Sequence, residues 1–423
     1  MRFDTILIGG GLASLVCGIQ LRKSGQDCLI VSAGQNALHF SSGAFGLLSR
    51  LPDGTEVHEP LKSLSFLPAN HPYSKIGVDK VAEYSSTTVG FFDSCGIGLH
   101  PAPVQGDGGF PANGYRLTPM GTFKPAWLAM EGVTLLPSKD KVNWKKALIV
   151  NFSGFLDFNT SFIAEGLGNK GVDCRVERVI LDDVESLRKN PTEMRSVGIA
   201  RIMNKEKNWK EFGAKVKELR GGEDLVILPD VFGLGDRIIT RWLGEMIPAE
   251  VMFVGTMPPS VPGIGVQMRL KKTFESLGGT FLSGDIAINP LFEGNRVTAI
   301  HTANLGSIEL RADNFVLASG GLFGKGLDAS PDKFAEPVFG LDVDSPGDSH
   351  SLCDEDFFSP QGFAGIGVRC DDSFRPFRNG GVLENLYVAG SEVGGCNSLY
   401  EGSGAGVAIL TAMSVADSVI SGQ

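Results

Sequence analysis

Phe3-Asp4-Thr5-Ile6-Leu7-Ile8-Gly9-Gly10-Gly11-Leu12-Ala13-Ser14 opens the chain, and Asp27-Cys28-Leu29-Ile30-Val31-Ser32 follows closely. Residues 3–9 are a short apolar run of the kind that parallel sheets bury on both faces. From 11 to 24, Leu12, Leu15, Val16 and Ile19 recur at helical spacing. Arg22 and Lys23 then complement the helix dipole, and Gly25 can close the helix in the left-handed conformation. Residues 27–32 supply a second strand, so 3–32 reads as a right-handed βαβ unit.

The turn inside that unit carries chemistry. Gly9, Gly10, Gly11, Leu12, Ala13 and Ser14 fit G-x-G-x-x-G at its first two glycines, with Ser14 in the third place. Gly9 permits the sharp turn, Gly11 lets a phosphate approach the backbone, and the helix N-terminus offers unpaired N–H groups to an anion. An acidic residue that grips an adenosine ribose is expected about 20 residues on. The end of the second strand holds Ser32 instead. That departure weakens an NAD reading and leaves FMN, or FAD held in another way.

Composition narrows the function classes. The 423 residues are 42% hydrophobic and 20% charged, ordinary for a globular chain of two or three domains. Fifty-six glycines without a fixed period imply many tight turns rather than a collagen-like chain. The net charge of −10, with no Lys/Arg block, argues against nucleic acid and against a polybasic membrane patch. Seven cysteines include no C-x-x-C pair and six histidines show no H-x-x-x-H spacing, so no metal site is expected and the compartment reads as reducing. Electrons handled here need an organic cofactor. Met1-Arg2-Phe3-Asp4 begins no secretory leader, and no run is expected to reach the roughly 18 apolar residues of a span, so membrane contact should come through another subunit.

Further along, 51–143 shows no clear period and is rich in Pro, with a glycine cluster at 106, 108 and 109. Residues 147–151 and 225–229 read as buried strands of an α/β insertion. A helix near 264–277, a strand near 280–288, and a hairpin of 296–303 and 308–313 about Gly306 lead to Val316-Leu317-Ala318-Ser319-Gly320-Gly321. Asn385-Leu386-Tyr387-Val388-Ala389-Gly390-Ser391 is a second strand that ends in a glycine turn. Glu401-Gly402-Ser403-Gly404-Ala405-Gly406 then opens a last helix, whose start can face an anion.

Candidate cofactor contacts are therefore Gly9, Gly10, Gly11, Leu12, Ala13, Ser14 and Ser32 at the first turn. Ser41, Ser42 and Gly43 follow it, and Ser319, Gly320, Gly390, Ser391, Gly404 and Ala405 come from the later turns. His39, in Ala37-Leu38-His39-Phe40, is the candidate proton-handling residue, because imidazole titrates near neutrality.

The three glycine turns in this order resemble the two-domain flavoproteins related to fumarate reductase. More closely, Met1-Arg2-Phe3-Asp4-Thr5, Ala37-Leu38-His39-Phe40-Ser41-Ser42-Gly43, His71-Pro72-Tyr73-Ser74 and Thr118-Pro119-Met120-Gly121-Thr122 resemble the B subunits of anaerobic glycerol-3-phosphate dehydrogenase. Ile199-Ala200-Arg201, Pro258-Pro259-Ser260-Val261-Pro262-Gly263-Ile264 and Gly340-Leu341-Asp342-Val343 extend the resemblance over nearly the whole chain.

The resemblance implies a subunit that binds FMN, or alternatively FAD. It also implies work with a flavin-bearing catalytic A subunit and a membrane-bound iron–sulfur C subunit, on the cytoplasmic side of the inner membrane. The reaction would oxidise sn-glycerol 3-phosphate to dihydroxyacetone phosphate and pass electrons to quinone, with fumarate or nitrate as terminal acceptor. A phosphate substrate calls for Arg or Lys, and Arg116, Arg195, Arg201 and Arg269 are the candidates. A non-catalytic structural or electron-relay role, with the partner oxidising the substrate, is the competing expectation.

The expected fold is α/β: an FAD/NAD(P)-binding Rossmann-like nucleotide domain from 1–50, 255–325 and 376–423. An α/β cap of 51–254 is inserted in it, and 326–375 connects.

Overall fold

The computed structural model describes residues 1–103, 112–190, 192, 194–330, 333–345 and 352–422. The glycine cluster at 106, 108 and 109 lies outside them. The chain separates into two compact units, one of 1–37, 46–91 and 270–423 and one of 38–45 and 92–269.

In the first unit, β1 (Arg2–Ile8), α1 (Leu12–Lys23) and β2 (Cys28–Ser32) form the βαβ unit read from the sequence. Ile6, Leu7, Leu15, Val16, Ile19 and Ile30 are fully buried, so the apolar run and the helical stripe face one core. Among the described residues the sheet has seven strands. Thr280–Ser283, β2, β1, Leu310–Leu317 and Leu386–Val388 run parallel, and Arg296–Thr302 and Ala287–Glu293 join antiparallel.

The hairpin about Gly306 is present, but the single strand expected at 280–288 is two. Gly284, at φ +76°, breaks the run, and the Asp285 carboxylate accepts from the backbone N–H groups of Ile286 and Asn304. The first piece pairs with β2 and the second with Arg296–Thr302.

The C-terminal helix, Gly404–Ser421, corrects a second expectation. It is 18 residues long and apolar enough to cross a membrane by length and composition, yet 56% of it is buried inside the protein. The sequence places the helix at about 403–420, but Gly, Ala and Ser interrupt its larger apolar residues and mask its overall apolar character.

Residues 51–91 were expected in the inserted domain and lie instead in the first unit. Polar links, two of them buried and the third part-buried, hold this part of the chain there. His71 Nε2 lies 3.1 Å from Glu401 Oε2, Tyr73 Oη donates to Leu47 O at 2.7 Å, and Tyr84 Oη donates to Asp417 Oδ2 at 2.7 Å. The helix Val78–Ser94 escaped notice because Ser85 and Thr88 occupy buried positions where apolar residues would mark the stripe.

The second unit carries a parallel sheet in the order Glu250–Val254, Leu225–Pro229, Lys146–Phe152, Asp173–Val179. Phe152, Phe212, Phe232 and Phe253 pack in its core. An antiparallel sheet of Ala44–Phe45, Leu128–Met130 and Leu99–Pro101 and a hairpin of Gly114–Leu117 with Phe123–Ala126 complete it.

Candidate functional site

Three glycine turns lie at the C-terminal ends of three adjacent parallel strands of the first unit. Ile8 is in register with Leu317, and Leu317 with Val388. The turns at 9–14, 319–321 and 390–392 therefore open along one sheet edge, the edge at which open α/β sheets take their ligands.

Gly9 sits at φ +113°, and a side chain there would run into the Ala318 carbonyl. Gly10 makes room for Ser32, whose hydroxyl lies where a Cβ on residue 10 would go. Gly11 differs: a Cβ there would meet nothing closer than Asn36 Cβ at 4.0 Å. Of the three glycines, only Gly11 leaves free space beside the backbone.

The first turn of α1 presents donors to that space. Gly11 is the N-cap, and no side chain among the described residues caps the helix start. Ser14, fully buried in this turn, has a hydroxyl with no partner among the described residues. Unpaired helix N–H groups, an orphan hydroxyl and an open glycine face fit a phosphoryl group. Leu12 and Ala13 share the turn, and Gly390, at φ +75°, would bring a Cβ to 2.9 Å from Ala13 Cβ. Gly390 thus locks the third turn onto α1.

The later turns are tied together by side chains. Ser319 Oγ donates to Glu392 Oε2 at 2.7 Å, and Gly321 N donates to Ser391 Oγ at 3.1 Å. Glu392 is fully buried, its other oxygen has no hydrogen-bond partner among the described residues, and burial pushes its carboxyl up to about 8, with Ser319 opposing and Glu336 adding to the rise. Gly320, at φ +100°, shapes the middle turn. At the last helix, Gly404 is exposed and Ala405 half-exposed, whereas Gly406 is packed against Tyr73 and Leu47.

A sequence profile of the FAD binding domain family matches residues 4–407. The chain is 37% identical over 425 residues to a Yersinia pseudotuberculosis protein named as the B subunit of anaerobic glycerol-3-phosphate dehydrogenase, covering 100% of this chain and 99% of that one. A Pectobacterium atrosepticum protein of the same name is 37% identical over 424 residues, covering 99% of each. The chain belongs to the family of anaerobic glycerol-3-phosphate dehydrogenase B subunits. Among solved structures, 3-ketosteroid delta1-dehydrogenase from Sterolibacterium denitrificans spans 100% of both chains at 10% identity and a TM-score of 0.47.

The α/β flavoprotein fold expected from the glycine turns is the fold of this B-subunit family member, and its cofactor class is a flavin. Ser32 stands where a ribose-gripping acid was sought, and its hydroxyl accepts from Gly34 N at 3.3 Å. Sequence reading missed Asn36, whose Nδ2 donates to Gly10 O at 2.9 Å, and Glu392. Glu392 follows Gly390 in a strand-turn run and could have been found as an acid in an otherwise apolar and glycine-rich stretch.

The remaining candidates belong to the second unit and are described within it. His39 Nε2 lies 2.7 Å from Gln267 Oε1, and His39 O accepts from Ser260 N. Ser41 Oγ accepts from Gly43 N at 3.3 Å; Gly43, at φ +78°, packs toward Pro262, and half-buried Ser42 lies between them in the chain. Arg195 is paired with Asp157 at 2.7 Å and Arg269 with Asp236 at 3.1 Å. Arg201 is exposed on the helix Ser196–Met203. Arg116 is half-buried in the Gly114–Leu117 strand.

Proposed function

We propose that this chain is the flavin-binding subunit of a membrane-associated dehydrogenase that oxidises sn-glycerol 3-phosphate to dihydroxyacetone phosphate. Electrons pass to quinone, with fumarate or nitrate as terminal acceptor. The observation that carries this reading is full-length identity of 37% to named B subunits, in a chain whose Gly11 leaves an open approach to a helix start.

Gly9, Gly11, Leu12, Ala13 and Ser14 would hold the cofactor's phosphoryl end. Gly10 and Ser32 shape the turn behind it, and Ser319, Gly320, Gly390, Ser391, Gly404 and Ala405 line the rest. A bound flavin supplies the two-electron acceptance that alcohol oxidation requires. Ser32 stands where an adenosine ribose would seek a carboxylate, and its hydroxyl is taken up beside Gly10 and by Gly34 N, which favours FMN, with FAD the competing outcome. His39, oriented by Gln267, is the residue proposed to take the hydroxyl proton. Ser41, Ser42 and Gly43 belong to the same segment. The partners are a flavin-bearing A subunit and a membrane-bound iron–sulfur C subunit, so the chain sits peripherally on the cytoplasmic face of the inner membrane.

Anaerobic addition of sn-glycerol 3-phosphate to the purified three-subunit complex tests this reading. Bleaching of the flavin held by this chain is the expected result. Flavin there that never bleaches, while the complex turns over, would assign both substrate oxidation and electron transfer to the partners and leave this chain a structural subunit.

A further inference from the structure

Two cations face each other across one hairpin of the second unit. Arg116 on the strand Gly114–Leu117 is in register with Lys124 on Phe123–Ala126. Directly opposed like charges weaken a sheet. Neither side chain has an ion pair or a hydrogen bond among the described residues.

Arg116 contrasts with the other arginines considered above. Arg195 and Arg269 are each matched by a carboxylate, and Arg201 is exposed to water. Arg116 is neither matched nor fully solvated, for it is half-buried on a strand whose neighbours Tyr115 and Leu117 are buried. A desolvated charge needs a counter-charge, and the described residues provide none here while adding Lys124 opposite. Burial accordingly pushes the Arg116 guanidinium down to about 10.

We infer that Arg116 and Lys124 form an oxyanion site for a phosphate monoester, Arg116 supplying a planar fork and Lys124 a second positive charge. The chemistry suits both elements, since guanidinium binds phosphate oxygens in pairs and ammonium acts as a flexible point charge. Resting on the proposed function, the inference makes this the site that recognises the phosphate of sn-glycerol 3-phosphate. Recognition would then lie in the phosphate rather than in the glycerol hydroxyls.

The test uses the full chain with its flavin, titrated calorimetrically with inorganic phosphate, sn-glycerol 3-phosphate and glycerol. Wild type is expected to bind the two phosphates and not glycerol. Arg116→Met should weaken both by about 10- to 100-fold, the size of a lost charge-assisted hydrogen bond. Lys124→Gln, at an exposed position, should weaken both by about threefold and reduce the salt dependence.

Should Arg116→Met fail to fold, Arg116→Lys keeps the charge without the fork and should show an intermediate loss. Phosphate binding that is absent in wild type, or unchanged in Lys124→Gln and in the folded Arg116 variant, overturns the inference. Arg116-dependent binding of inorganic phosphate by a complex that does not oxidise sn-glycerol 3-phosphate upholds the site and overturns the substrate reading instead.

Discussion

Ser319 and Glu392 are joined by a 2.7 Å hydrogen bond, although they are 73 residues apart in the chain. Their strands, Leu310–Leu317 and Leu386–Val388, are neighbours in the sheet, and the bond clamps the two glycine turns that end them. Glu392 is fully buried and keeps one oxygen without a partner among the described residues, so its ionised form is poorly solvated.

A pH dependence follows from that burial. An unfolded Glu392 titrates near 4.5 and the folded one near 8, so between these values the folded state holds a proton that the unfolded state has lost. Stability from this group is full below 4.5, falls as pH rises toward 8, and falls no further above it. Glu392→Gln keeps the shape and removes the titration. In urea unfolding of the full chain, the difference between pH 5 and pH 8 should shrink in the variant by on the order of 1 kcal/mol or more.

The second unit has its own buried charge pair. Arg237 binds both oxygens of Asp230, at 2.5 and 3.1 Å, and also donates to the backbone carbonyl of Glu131. Burial pushes the Asp230 carboxyl up, and Arg237 opposes that rise. Arg237→Met would strand the carboxylate and should cost about 3–5 kcal/mol in denaturant unfolding.

Gly9 should tolerate no side chain. At φ +113° and against the Ala318 carbonyl, Gly9→Ala meets both backbone strain and a clash. A loss of about 1–3 kcal/mol or more is expected, read as a lowered thermal midpoint of the protein stripped of cofactor.

Asn36 holds the cradle from outside. Removing its 2.9 Å hydrogen bond to Gly10 O in Asn36→Ala should loosen flavin binding by about fivefold, the equivalent of one ordinary hydrogen bond. Fluorescence titration of the stripped protein with the flavin measures it.

The β1–α1–β2 cradle was legible because its signal is local: an apolar run, a glycine turn and a helical stripe in consecutive residues. The later strands at 316 and 386 were legible for the same reason. What escaped is non-local. His71 and Glu401, 330 residues apart, help to place 51–91 with the first unit, and no periodicity in a Pro-rich segment announces such a link. Ser32 could be seen to depart from an acidic residue, but that its hydroxyl occupies the space left by Gly10 required the fold. Of the four arginines, charge alone could not separate Arg116 from Arg195 and Arg269, because their carboxylate partners lie 38 and 33 residues away.

Gly11 is the most direct place to test the flavin cradle, since a side chain there has room to fold and fills the space a phosphate would enter. The measurement is the mass and molar amount of cofactor released from purified wild type and Gly11→Val. A stoichiometric flavin from wild type, and almost none from a variant with an unchanged circular dichroism spectrum, is the expected result. A folded Gly11→Val that retains its full complement of flavin, or a colourless wild-type chain, would contradict the account.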